Sequence, residues 1–182
     1  MPRPPLAREK VLDAFEEILI AEGERAATLE ATAKAAGVSK GGLLYHFHSK
    51  DDLESGLLDR LDRLTTLDLE RMTAAEEGPV AYYVRTSVME DDALDRVLIA
   101  TTRLAQGGSA RAADMLRETR RRWADTIRPH VRDTASLDLV MLVSDGLYFN
   151  SALTIGSVPG PEPTPERLDA LIARVREVSQ PE

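Results

Sequence analysis

The sequence predicts an all-α protein, and three observations carry that reading. Apolar residues recur at intervals of three and four along almost the whole chain. No segment alternates with the two-residue period of a half-buried strand. Glycine, proline or acidic clusters cut the pattern into helix-sized pieces. With 182 residues, 43% of them hydrophobic and 30% charged, the chain can enclose a core as one large domain or two small ones. It has no cysteine, which excludes disulfides, cysteine-rich zinc sites and thiol catalysis.

The elements follow in order. Val11, Phe15, Ile18 and Leu19 form one face of a helix from about Ala7 to Glu22, ended by Gly23. Thr28 is a good N-cap for a short helix, Leu29 to Ala36, which Gly37 stops from the left-handed C′ position. Ser39 caps a third helix from Lys40 to about Phe47, with Leu43 and Phe47 facing inward. Ser49 and Asp52 have capping-box spacing and open a fourth helix that reaches about Met72. Only a few residues around Gly37-Val38-Ser39 separate the second helix from the third, which is the spacing of a helix-turn-helix.

Charge points the same way. The net charge is −8, yet residues 1–50 carry 7 basic and 7 acidic side chains, so the whole excess of acid lies beyond them. Residues 31–50 contain Lys34, Lys40, Lys50, His46 and His48 and no acidic residue, an electrostatic footprint for phosphate on an acidic protein. Two glycines, Gly41 and Gly42, stand at the front of the third helix, where each costs about 1 kcal/mol relative to alanine. Laid in a DNA major groove, such a helix brings its backbone close to the duplex. Lys40, Tyr45, His46 and Lys50 then reach phosphates or base edges, and most of these contacts position the protein rather than specify a sequence.

The segment TLEATAKAAGVSKGGLLYHFHSKDDL, residues 28–53, resembles the DNA-binding signature of the TetR family of bacterial transcriptional regulators. The likeness lies in the A-x3-GVS turn, the triplet Tyr45-His46-Phe47 and the S-K-x-x-L start of the fourth helix. With the first helix it covers roughly residues 7–60. Two positions depart from the family pattern: Thr32 replaces a larger aliphatic residue, and Leu44 stands where many members have a phosphate-contacting tyrosine, a role transferred here to Tyr45. The resemblance implies a helix-turn-helix domain over residues 1–49, in which Thr28, Ser39, Lys40, Gly41, Gly42, Leu44, Tyr45, His46 and Lys50 meet double-stranded operator DNA. It also implies that Lys50 is a phosphate anchor.

Residues 50–182 then form a larger effector-binding and dimerisation domain. Stripes continue from Val80 to Met89, on Leu94, Val97, Leu98, Thr101 and Leu104, and on Ala112, Met115, Leu116, Thr119, Trp123 and Ile127. The acidic cluster Glu90-Asp91-Asp92 with Asp95 reads as a helix start. From Leu137 to about Ile155 the chain is apolar nearly all round, which calls for burial on two sides. A proline-rich loop follows, and then a clean stripe of Leu168, Leu171, Ile172, Val175 and Val178. The economical arrangement is a twofold homodimer in which these last two helices meet their copies, through Leu139, Leu142, Val143, Gly146, Leu168, Leu171, Ile172 and Val175. Two recognition helices then read two half-sites of a palindrome.

The family resemblance further implies an internal cavity for a small-molecule effector. Its candidate lining is Tyr83, Thr101, Thr119, Trp123, Asp145 and Tyr148, which favours an apolar or weakly polar ligand. Asp145, within an apolar helix, needs a partner if buried. The three histidines are not spaced to share a metal, and neither nucleophile elbow, P-loop nor dinucleotide fingerprint is present, so neither enzyme, metal nor cofactor is expected. The N-terminus lacks a signal-like apolar core and no run is long enough to span a bilayer, which predicts a cytoplasmic protein with no membrane partner. The function expected is a homodimeric regulator, a repressor, released from its operator by the effector. The competing reading is a helical protein-binding adaptor without DNA binding.

Overall fold

The computed structural model describes residues 4–88, 90–153 and 164–179, apart from the side chains of residues 4–6, 152 and 153. Among the described residues there are nine α-helices and no strand. They are α1 (Pro4–Glu22), α2 (Leu29–Ala35), α3 (Lys40–His46), α4 (Lys50–Ala74), α5 (Pro79–Thr86), α6 (Ala93–Gln106), α7 (Ala110–Ile127), α8 (Thr134–Leu153) and α9 (Pro165–Ser179), with a short 3-10 turn, Arg128–His130, after α7. The all-α reading therefore stands. The expected helix end at Met89, the end of the apolar run at Ile155 and the proline-rich loop lie outside the described residues.

Local chemistry sets the helix ends. The Thr28 hydroxyl accepts from the Ala31 N–H, and the Ser39 hydroxyl accepts from the Gly42 N–H, each at 3.1 Å. Gly37 adopts φ +67°, and two hydrogen bonds close the end of α2: Gly37 N–H to the Lys34 carbonyl and Val38 N–H to the Ala33 carbonyl. The turn between α2 and α3 is thus fixed from both sides. Ser39→Ala is expected to lower stability by about 1 kcal/mol, read as a lower urea midpoint at unchanged slope. At α4, Ser49 accepts from the Asp52 N–H, but the Asp52 carboxylate reaches past Ser49 to the His48 N–H, so the expected box closes one residue further back. The full capping box belongs to Asp92 and Asp95 at the start of α6.

The chain forms two compact units. The first runs to Thr65 and resumes over Asp91–Thr119; the second comprises Thr66–Glu90 and the chain from Arg120 onward. In the first unit α6 shares the core: Val97, Ala100 and Leu104 join Val11, Phe15, Leu19, Leu43, Phe47, Leu53, Leu57 and Leu61. Each fully buried leucine or phenylalanine there contributes roughly 1.5–3 kcal/mol. Gly56 lets α4 approach closely, since a Cβ there would stand 3.0 Å from the Phe47 ring and 3.1 Å from Leu12.

An ion network reinforces this first unit. Arg60 of α4 binds Glu9 and Asp13 at 2.8 Å and Glu16 at 3.0 Å, all on α1. Arg96 of α6 binds Glu16 at 3.3 Å and also pairs with Glu17. Arg60 and Glu16 are both buried.

In the second unit, Met72, Val80, Val84, Ile127, Val140 and Met141 form a core with Leu168, Ile172 and Val175 of α9. Leu168, Ile172 and Val175 of the α9 stripe pack inside the protomer against α5 and α8, and Leu171 and Val143 are partly buried on the same core, whereas Val178 is exposed. No helix among the described residues is long and apolar enough to cross a membrane.

Candidate functional site

The outer face of α3 is built from residues that the core does not need. Leu43 and Phe47 turn inward and are fully buried, while Leu44 is half-buried against the same core. Lys40, Gly41, Gly42 and Tyr45 are exposed, Tyr45 with 77% of its surface open to solvent and its ring edge-on to His46. A Cβ at Gly41 would find nothing nearer than Ser39 Oγ at 4.0 Å, so no packing in the protomer requires glycine there. Gly42 differs: a Cβ would crowd the capping Ser39 Oγ at 3.3 Å, an internal reason for the second glycine. Thr28 and Ser39 hold the ends of the two helices, and their hydroxyls are already engaged as caps.

The lysines are less free than the acid-free run implies. Lys40 Nζ lies 2.5 Å from the Glu30 carboxylate, one residue outside that run, in an exposed pair. Its ammonium, hydrogen-bonded to Glu30, holds that carboxyl below the usual carboxylate range. Lys50 Nζ donates to the Glu24 carboxylate at 2.6 Å and to the Glu24 backbone carbonyl at 2.9 Å, and is only part-exposed. Sequence spacing gives no sign of these pairs, since 10 and 26 residues separate the partners. Chemically, the face offers backbone approach at Gly41, an aromatic hydroxyl at Tyr45 and two ammonium groups, each paired with a carboxylate. That combination suits phosphate oxygens rather than base edges.

The six expected effector residues divide between the two units. Thr101 and Thr119 are buried in the first unit. Tyr83, Trp123, Asp145 and Tyr148 belong to the second, where the Tyr83 and Trp123 rings meet at 5.7 Å between centroids. Burial, then the nearby Asp145 charge, raises the Tyr83 phenol, against the opposing influence of Arg120. Asp145 is not a buried carboxylate. It sits at the surface and pairs with Arg120 at 2.5 Å, because the apolar helix that carries it has an outward side.

In the second unit a carboxylate that does lie inside is Asp68, which sequence reasoning passed over. It accepts from Trp123 Nε1 at 2.8 Å and from the Tyr82 hydroxyl at 3.0 Å. The signal was present: Leu61, Thr65, Asp68 and Met72 fall on one buried stripe of α4, and an acid on such a stripe needs donors.

The remaining expected surface is on α8. Leu139, Leu142 and Phe149 are 38%, 65% and 62% exposed, and with Gly146 they follow a three-four-three spacing down one side of the helix. A Cβ at Gly146 would meet nothing within 4 Å, which leaves room for another backbone to approach. Phe149 extends the seam beyond the residues singled out from the sequence.

Comparison with known proteins agrees with the helical fold. Residues 11–54 match the profile of bacterial regulatory proteins of the tetR family, and residues 77–179 match a tetracyclin repressor-like C-terminal domain. Over 70 residues the chain is 36% identical to the HTH-type transcriptional regulator SrpR of Pseudomonas putida, a match covering 35% of this chain and 33% of that relative's length. The fold is similar to that of Salmonella enterica GusR, at TM-score 0.69 and 16% identity over 98% of this chain and 97% of that one. It is also similar to a transcriptional regulator from Saccharomonospora viridis solved in complex with choline, at TM-score 0.65 and 19% identity over 95% of each chain. With the C-terminal match alone spanning more than half of its residues, the chain belongs to the TetR family of bacterial regulatory proteins.

Proposed function

We propose that this chain is a transcriptional repressor that binds a palindromic operator as a homodimer and is released by a small-molecule effector. The observation that carries the reading is the exposed α3 face, where Lys40, Gly41 and Tyr45 stand clear of the core immediately after a rigidly closed turn. Twofold pairing through the apolar seam of α8 presents two such faces to successive half-sites. The effector is apolar or weakly polar and is received by the second unit, near the Tyr83 and Trp123 rings. Coupling of about 1–3 kcal/mol between effector and DNA weakens operator binding some 5- to 150-fold.

The test is a titration of the purified protein with duplex from the promoter region beside its own gene, at two salt concentrations. Salt-dependent binding supports the reading, and no affinity for any duplex favours a protein-binding adaptor instead. Lys50→Ala is expected to weaken binding to specific and random duplex alike and to flatten the salt dependence. Unchanged binding would show that Lys50 does not meet the DNA backbone.

A further inference from the structure

The corner between α6 and α7 contains two glycines that serve different ends. Gly108 adopts φ +102° as the left-handed residue that closes α6, with its N–H on the Ala105 carbonyl and the Ser109 N–H on the Leu104 carbonyl. Gly107 has an ordinary φ of −74°, which alanine adopts freely. What excludes a side chain there is a neighbour. A Cβ on Gly107 would lie 2.5 Å from Glu24 Cγ and 2.7 Å from Glu24 Cβ. Both atoms sit near the Glu24 backbone, so the side chain has little freedom to swing clear.

Glu24 is the residue that holds Lys50, through both its carboxylate and its backbone carbonyl. The same corner grips the opening turns of α4 from another side, where Ser109 donates to the buried Glu54 carboxylate and Arg111 pairs with it at 3.4 Å. The α6–α7 corner, the loop after α1 and the first residue of α4 are therefore in direct contact through one side chain. An ammonium has three hydrogens, and Glu24 takes two of them. One remains for a phosphate, and the adjoining carboxylate offsets the charge that would draw a phosphate in.

We propose that Glu24 is a positioning residue for Lys50, seated by the close approach of Gly107, and that through it the α6–α7 corner sets how much of the Lys50 charge reaches the DNA backbone. The proposal rests on the reading of α3 and Lys50 as a DNA-binding surface. Glu24 aims the ammonium and attenuates it at once. Loss of the carboxylate charge, or its displacement by a side chain at position 107, leaves Lys50 a stronger phosphate ligand.

The experiment measures binding of the full chain to a random duplex of about two helical turns across a salt series. Glu24→Gln is expected to tighten binding about two- to fivefold and to steepen the dependence of log K on log salt by up to about 0.9, the share of one phosphate. Gly107→Ala is expected to shift binding in the same direction, and to shift it no further once Glu24→Gln is present. Unchanged affinity and slope for Glu24→Gln would overturn the proposal, and so would full additivity of the two substitutions. Should Gly107→Ala fail to fold, Glu24→Gln alone decides. Absence of duplex binding by the unaltered protein would overturn the DNA reading and this inference together, whereas binding without a Glu24→Gln response removes only the role of Glu24.

Discussion

Leu142→Asp is expected to leave a folded monomer whose affinity for a two-half-site duplex has fallen by about 100-fold or more. Leu142 is 65% exposed and lies outside the second core, so an aspartate there costs the isolated protomer little. In a paired α8 seam the same carboxylate would be buried near the Phe149 side chains and the identical carboxylate of the other copy, where an unpaired charge costs several kcal/mol. Once the copies separate, each half-site is bound alone and the effective concentration supplied by the first contact is lost. Joint engagement of two sites commonly contributes a factor of 10² to 10⁴. Light scattering and a duplex titration read the two effects independently. A dimer of unchanged affinity would remove α8 from the interface.

Arg60→Ala is expected to destabilise the first unit by about 2–3 kcal/mol, because it leaves the buried Glu16 carboxylate to Arg96 and removes the cation shared by Glu9 and Asp13 on the same helix. Thermal unfolding measures the loss, and its pH dependence identifies the cause. Burial by itself raises the Glu9 carboxyl, but the Arg60 hydrogen bond and charge, helped by Arg8 and Arg63, outweigh it and hold the group below its ordinary value. A carboxylate depressed in the folded state stabilises at pH above its unfolded pKa, and that stability is lost as pH falls through the folded value. The unaltered protein should therefore lose stability on acidification through that range, and the Arg60→Ala variant should lose less. A variant as stable as the parent would show that the network contributes nothing net.

What the sequence disclosed is what local chemistry decides. Thr28, Ser39 and Gly37 announce helix ends because a cap or a left-handed turn involves neighbours within a few residues. The inward side of α3 was legible for the same reason, through Leu43 and Phe47. Long-range partners were not. A stripe such as Leu168, Ile172 and Val175 states that a face is buried without stating what covers it, and here α5 and α8 of the same protomer cover it. The all-round apolarity of α8 calls for burial on two sides; within the protomer one side meets the core and the other is exposed, and Asp145 at the surface pairs with Arg120. Glu24 and Glu30 precede the acid-free run in sequence and return to its lysines in space, a relation no spacing rule contains.

In the proposed homodimer, Leu168, Ile172 and Val175 of α9 are already buried in their own protomer, so among the described residues the copies hold each other mainly through a narrow strip of α8. Such an association is expected to be loose at the low concentrations typical of a regulator, with the operator itself completing the pair. Occupancy of the operator would then climb with roughly the square of protein concentration, and modest changes in expression would switch the regulated gene sharply between states.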